Sequence, residues 1–255
     1  MKYTMNFENK TVLITGAAGG IGLECVKGYL DNGATVFMAD FNKEENEKQA
    51  ALLCEEYGEN RAFAIACDVT KDEDTKKVID FIKEKVGRLD VLVNNAGTGA
   101  GVRSINETKE GWEKVISLNL TSHFFFSQKI ALEFMIPQKE GKIINMCSLS
   151  AFLGVPNCVA YSSSKGAILQ MTKSLAGEWA RFNIQVNCVC PGFVETPLIA
   201  ENMANPNWMA YMNLRIPQKR LAQPSDVVGS VLFLSSNLAD YITGASLIVD
   251  GGYSC

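Results

Sequence analysis

Short apolar runs alternate with longer amphipathic stretches along the whole chain. TVLIT at Thr11–Thr15, TVFMA at Thr35–Ala39, AFAIA at Ala62–Ala66, Val91–Val93, KIINM at Lys142–Met146, Gln185–Val189 and Leu247–Val249 predict strands. Several lack polar alternation, as expected for parallel strands covered on both faces. Between them the periodicity predicts helices over Gly20–Asp31, Lys43–Tyr57, Asp72–Val86, Gly111–Ile136, Tyr161–Phe182 and Ser225–Ser235. Charged residues cluster on one side of these stretches, as in EKQAALLCEEY and DFIKEKV. Repeated strand–helix–strand units mean an α/β fold: a doubly wound parallel sheet of about seven strands, with helices on both faces and right-handed crossovers. No linker, low-complexity tract or repeat interrupts it, so residues 1–255 are expected to form a single domain.

The pattern breaks once. Residues 191–224 hold five prolines and no sustained period, together with Met203, Trp208, Met209, Tyr211 and Met212. Either these residues pack a core, or the segment covers an apolar or mixed substrate pocket.

Composition narrows the choices. Of 255 residues 47% are apolar and 20% charged, and 24 Lys plus Arg against 28 Asp plus Glu give a net charge of −4. With no basic run, neither nucleic acid nor an anionic membrane surface is an expected partner. No apolar run is long enough to cross a bilayer, and the N-terminus lacks a signal-peptide pattern, so a cytoplasmic location is expected. The eight cysteines are scattered without a CxxC pair, and His123 is the sole histidine. They read as small buried hydrophobes in a reducing compartment, and no metal site is expected. Alternation puts Cys188 and Cys190 on one face of a strand.

The first predicted strand runs into Thr15-Gly16-Ala17-Ala18-Gly19-Gly20-Ile21-Gly22, which opens the first helix. Glycine at 16, 20 and 22 allows a tight turn, close approach to a pyrophosphate and close helix–strand packing. A helix N-terminus there supplies free N–H groups for the phosphates, the arrangement of a Rossmann-type dinucleotide site. Asp40 closes the second strand, where a carboxylate accepts from the adenosine ribose hydroxyls and selects NAD. NADP would set a phosphate against it, at about 3–4 kcal/mol per unit of like charge for an effective dielectric of about 20. No Arg or Lys follows Asp40 or lies in the glycine loop to offset this.

Tyr161-Ser162-Ser163-Ser164-Lys165 sets a phenol and an ammonium at i and i+4 on one helix face. Ser148 follows the strand KIINM, at the sheet edge where open α/β folds bind ligands. A phenol with a pKa near 10 is a poor base, and lowering it by about 3 units takes about 4 kcal/mol. Lys165, with an oxidised nicotinamide, is expected to lower it, and Ser148 to hold the substrate oxygen as it passes between alcohol and carbonyl.

With TGAAGGIG at 15–22, Asp68-Val69, NNAG at 94–97, Asn119, Ser148, Tyr161, Lys165 and PGFVET at 191–196 in this order, the chain resembles the short-chain dehydrogenase/reductase family over its whole length. The resemblance implies that Tyr161 is the general acid/base and that Lys165 lowers its pKa and holds the nicotinamide ribose. It implies that Ser148 positions the substrate oxygen and that Asn119 anchors a water chain through Lys165. For NAD it implies contacts from Ile21 to the phosphates and from Asp40 and Phe41 to the adenosine ribose. Asp68 and Val69 would flank adenine, Asn95 would touch the span between the two nucleosides, and Val194 and Thr196 would hold the carboxamide. It implies a homotetramer built through the long helices Gly111–Ile136 and Tyr161–Phe182, which are apolar on more than one face.

The substrate is less legible. Resemblance points toward sugar-acid and polyol dehydrogenases such as gluconate 5-dehydrogenase, with hydroxysteroid dehydrogenase and 3-oxoacyl reductase as alternatives. The expected lining is Ser150, Phe152, Leu153, Val155, Asn157, Phe193 and residues 198–215, with Ser148, Ser150, Asn157 and Tyr161 touching substrate. Arg103 and Arg215 are the nearby cations, both read as surface residues. His123 reads as a packing or interface residue. A non-catalytic NAD-binding sensor on this fold would lack Ser148, Tyr161 or Lys165, and all three are present.

Overall fold

Seven all-parallel strands in the order 3-2-1-4-5-6-7 make the sheet of the computed structural model, which describes residues 4–99 and 101–255. The chain runs β1 (Thr11–Thr15), α1 (Gly20–Asp31), β2 (Thr35–Asp40), α2 (Lys43–Tyr57), β3 (Ala62–Ala66), α3 (Asp72–Lys85) and β4 (Val91–Asn94). A long helical run follows: α4 (Lys109–Ile116), a π-helical turn (Ser117–Thr121), α5 (Ser122–Ile130), a second π-helical turn (Ala131–Met135) and α6 (Ile136–Gln138). Then come β5 (Gly141–Met146), α7 (Val159–Trp179), β6 (Ile184–Pro191), α8 (Ala200–Met203), α9 (Pro206–Arg215), α10 (Pro224–Ser235) and β7 (Ser246–Val249). Strand bounds therefore agree with the periodicity to within a residue at most ends.

Both faces of the sheet are apolar because both are covered. Val12, Ile14, Val36, Val91, Val93, Ile144 and Val189 point to one side, against Val26 and Leu30 of α1 and Val227 and Val231 of α10. Leu13, Phe37, Leu92, Ile143 and Val186 point to the other, against Val78 and Ile82 of α3, Phe126 and Ile130 of α5 and Leu175 of α7. Each such fully buried side chain is worth about 1.5–3 kcal/mol relative to exposure. That two-sided burial explains the continuous apolar runs.

The 191–224 segment is more regular than its sequence suggests. Asn205 caps α9, its Oδ1 accepting from the N–H groups of Asn207 and Trp208 at 3.0 and 3.3 Å, and Pro206 takes the first helical position. An asparagine followed by proline is a local start signal that outweighs the missing period. Met212, Ile216 and Leu221 form a small core of their own, packed with Phe193, Trp208 and Tyr253.

Strand order reverses between β1 and β4, and ligands of open α/β sheets bind outside the carboxyl ends of the strands at such a point.

Candidate active site

The glycine turn after β1 divides its labour. A Cβ on Gly22 would lie 2.0 Å from the Gly16 carbonyl oxygen, and one on Gly16 would lie 3.0 Å from the Ala96 Cα, so these two let the turn fold on itself. Gly16 and Gly20 also hold φ values of +65° and +55°, which favour glycine. A Cβ on Gly19 would meet nothing within 4 Å, and Gly19, Gly20 and Ile21 border a cavity of about 950 Å³. No side chain caps α1, so its first N–H groups stay available to an anion. This cradle fits the diphosphate of a dinucleotide.

Asp40 is held where the sequence puts it. Its Oδ2 accepts from Ala18 N–H at 2.9 Å and its Oδ1 from Asn42 N–H at 2.8 Å, which fixes a carboxylate beside the glycine turn on the cavity wall. Asn95 lines the cavity too, yet its amide nitrogen donates to the carbonyls of Thr15 and Gly16, each at 3.0 Å. It braces the turn against β4. Val194 and Thr196 also line the cavity, and a Cβ on Gly20 would come within 3.5 Å of Thr196.

Four expected cofactor residues lie outside this cavity. Gly22 is packed under the turn, and Phe41 stands on the surface, 80% exposed. Burial acts to raise the Asp68 carboxyl, but the Thr70 hydroxyl and N–H, donating at 2.6 and 3.0 Å, and the Lys71 ammonium beside it hold it below the usual range. Val69 packs on the core below the sheet.

Ser148, Tyr161 and Lys165 converge on the same cavity. Lys165 is buried, donates to Met146 O at 2.8 Å and lies 5.6 Å from the centre of the Tyr161 ring. Burial pushes its ammonium down to about 8. The Tyr161 phenol is pushed up to about 12, chiefly by burial, with the Ser148 hydroxyl acting in the opposite sense. The expected lowering of this pKa is therefore corrected for the protein's own groups. Spacing places the cation near the phenol, but burial dominates the balance.

Asn119 sits in the first π-helical turn, a distortion common at functional sites. Its Oδ1 accepts from Thr98 N–H at 2.8 Å, and its Nδ2 donates to Thr98 O at 2.7 Å and to Ser164 Oγ at 3.2 Å. It clasps the loop after β4 to α7. That loop carries Gly99, where a Cβ would press within 3.1 Å of the Tyr161 ring.

On the substrate side Ser150, Val155, Asn157 and Phe193 line the cavity, as do Trp208, Tyr211 and Met212 of α9. Phe152 and Leu153 do not: Phe152 is 43% exposed. Ser150 Oγ is buried with no hydrogen-bond partner among the described residues. Sequence reasoning missed Tyr253, which lines the cavity because Gly251 and Gly252, at φ values of +63° and +87°, turn the chain back. The terminal GG pair was the available signal. Arg103 and Arg215 are absent from the lining, and the Arg215 guanidinium lies over the Tyr253 ring, 5.4 Å from its centre. His123 is a buried packing residue, its Nε2–H donating to Ala96 O at 2.8 Å.

The expectation of no clustered metal ligands also needs correcting. The sulfurs of Cys147, Cys188 and Cys190 lie within 4.8 Å of one another, because β5 and β6 pair side by side.

A cradle for a diphosphate leading into a pocket with a phenol, an ammonium and a hydroxyl defines a dinucleotide-binding α/β protein. Residues 16–254 match a family model described as "Enoyl-(Acyl carrier protein) reductase". The chain belongs to the short-chain dehydrogenase/reductase family of oxidoreductases, which bind nicotinamide cofactors. It is 36% identical over 249 residues to a 3-oxoacyl-(acyl-carrier-protein) reductase of Thermotoga maritima, covering 97% of this chain and 99% of that one. It is 37% identical over 249 residues to an NAD-dependent glycerol dehydrogenase of Listeria innocua, covering 98% and 95%. The crystal structure of a gluconate 5-dehydrogenase from Burkholderia cenocepacia, in complex with NADP and tartrate, superposes with a TM-score of 0.93 at 32% identity, covering 98% of this chain and 97% of that one.

Proposed function

We propose that the protein is an NAD-dependent dehydrogenase that interconverts a secondary alcohol and a ketone, with a sugar acid or polyol as substrate. One observation carries the reaction class: Ser148, Tyr161 and Lys165 line the single cavity that begins at the glycine turn. In alcohol oxidation, Tyr161 takes the hydroxyl proton, Ser148 donates to the oxygen as it becomes a carbonyl, and Lys165 holds the ribose and the tyrosine in register. Bound nicotinamide supplies the hydride acceptor and, when oxidised, a positive charge that favours the phenolate. Lys165 supplies the second such charge, and together they oppose the burial that raises the phenol. Asn119 holds the Thr98 loop in place and anchors the path by which protons reach Lys165.

For the cofactor, the fixed carboxylate of Asp40 supports NAD, and among the described residues no arginine lines the cavity to accept a ribose phosphate. The glycerol dehydrogenase relative is named NAD-dependent, whereas the gluconate 5-dehydrogenase neighbour binds NADP. For the substrate, Ser148, the unpartnered Ser150, Asn157 and Asn202 offer hydroxyl and amide groups suited to a polyhydroxylated chain. A second reading, a bulkier apolar alcohol such as a hydroxysteroid, draws on the edge-to-face contacts of Phe193 with Trp208 and Tyr253, at 5.7 and 5.2 Å. Residues 191–224 cover the substrate in either case.

The long helices support a homotetramer, since Trp112, Phe125 and Leu132 stay 37%, 47% and 58% exposed along α4 to the second π-helical turn. Free cysteines at all eight positions, and no helix among the described residues long and apolar enough to cross a membrane, support a cytoplasmic enzyme. The decisive experiment is a panel of gluconate-type acids, hexitols and bile-acid hydroxyls assayed with NAD and with NADP. The best substrate is expected to be a sugar acid or polyol, with kcat/KM at least about tenfold higher for NAD. Equal or better kcat/KM with NADP overturns the cofactor assignment, and activity confined to steroid hydroxyls selects the second reading.

A further inference from the structure

Three thiols scattered along the chain meet under the floor of the cavity. Cys188 and Cys190 are two residues apart on β6 and share the face that α7 covers, with their sulfurs 3.9 Å apart. Cys147 follows β5, and its N–H donates to Val189 O at 2.8 Å. That bond extends the β5–β6 register and sets Cys147 across from Cys190. All three side chains are buried among Ile168, Leu120, Leu169 and Met171, and none is in a disulfide.

We propose that Cys147, Cys188 and Cys190 form a three-sulfur site for a soft monovalent metal ion of the Cu(I)–Ag(I) class. The ligand chemistry comes first. Thiolates select soft ions, and among the described residues no histidine or carboxylate joins this cluster. Zinc in a structural site takes four ligands in a tetrahedron, and this apolar pocket offers three. The size is the second argument. A metal–sulfur bond of about 2.3 Å at the centre of a trigonal plane requires sulfurs about 4 Å apart. The Cys188–Cys190 pair already stands at 3.9 Å, and Cys147 needs only a small inward shift to complete the triangle.

Charge and access agree with this. A monovalent ion held by two thiolates and one thiol carries a net charge of −1, and binding releases two thiol protons to water without changing any oxidation state. The Lys165 ammonium, on the helix turn whose carbonyl accepts from Cys147 Sγ at 3.2 Å, is the nearby countercharge. Cys147 lines the cavity, which gives an entering ion its route.

The test offers Cu(I) to the full-length reduced protein, without oxygen, as its coloured bathocuproine disulfonate complex, and follows loss of colour. The protein is expected to extract about one equivalent, with X-ray absorption showing only sulfur neighbours. Cys188→Ala/Cys190→Ala is expected to bind at least about a hundredfold more weakly, and Cys188→Ala alone at least about tenfold. Melting curves establish that each variant is folded. Failure of the wild type to compete for Cu(I), nitrogen or oxygen neighbours in its absorption spectrum, or undiminished binding by a folded variant overturns the proposal. So does preferential uptake of Zn(II) over Cu(I) by the same thiols.

Discussion

The two ends of the one sheet are built on opposite rules. At the amino edge the charges gathered around Asp90 are closed on partners. Asp90, buried between β1 and β4, accepts from Thr11 N–H at 2.8 Å and pairs with Lys10 and Arg88, while Lys10 also reaches Glu140 at 2.7 Å. Nearby, Lys142 bonds Asp240 at 2.7 Å, and Gln138 exchanges two hydrogen bonds with the Leu89 backbone at 3.0 and 2.9 Å. At the carboxyl edge, Ser150 Oγ and His123 Nδ1 are buried without a partner among the described residues, and Lys165 is a buried cation whose bond goes to a neutral carbonyl. Buried polar groups left open cost about 1–3 kcal/mol each. One edge uses its polarity to close the fold, and the other keeps it free for a ligand.

The sharpest way to separate the two edges is to change one atom at the open one. Tyr161→Phe removes only the phenolic oxygen that faces the Ser148 hydroxyl and is expected to lower kcat by about 10²–10⁴-fold. Its melting temperature and NADH affinity should stay close to those of the wild type. Full turnover in a variant that binds NADH normally would remove Tyr161 from the chemistry. A collapse in stability would mean that the open edge is structural after all.

Part of this contrast was legible in the sequence. Continuous apolar runs gave the strands because two-sided burial is written in the residues themselves, as in Val12 to Ile14. The glycine turn and the Tyr161–Lys165 spacing were legible because each is local. Three things depended on the fold. The direction of the Tyr161 pKa turns on how much water the assembled cavity admits, which no spacing encodes. Cys147 meets Cys188 and Cys190 only through the register of two strands far apart in the chain. Tyr253 reaches the cavity only after the turn at Gly251 and Gly252.

The closed edge should fail in the reverse sense. Asp90→Ala leaves Thr11 N–H, Lys10 and Arg88 without their shared acceptor, which is expected to cost about 3 kcal/mol. At about 2–4 °C per kcal/mol for a chain of this size, the melting temperature falls by roughly 6–12 °C. Below that temperature kcat should hold within about twofold, since the carboxylate lies at the far end of the strands from the cavity. A large loss of kcat at a temperature where the variant is folded would break the separation between the edges.

The smallest expected effect tests whether the open edge carries a cost in acid. Burial, reinforced by the Lys165 ammonium, lowers the His123 pKa from 6.5 to about 3, so the imidazole is neutral in the folded protein while its unfolded form takes a proton below about pH 6.5. The unfolded state therefore binds more protons across that window, and folding stability drops as the pH falls from 6.5 toward 3. By pH 5 the single histidine accounts for about 2 kcal/mol, at 1.36 kcal/mol per pH unit. His123→Gln keeps an N–H donor for Ala96 O but cannot titrate. Urea unfolding at pH 7.5 and pH 5 should show the wild type losing about 2 kcal/mol more than the variant over that interval. Parallel losses in the two proteins would mean that His123 is charged in the native state, and that the open edge already tolerates a second cation beside Lys165.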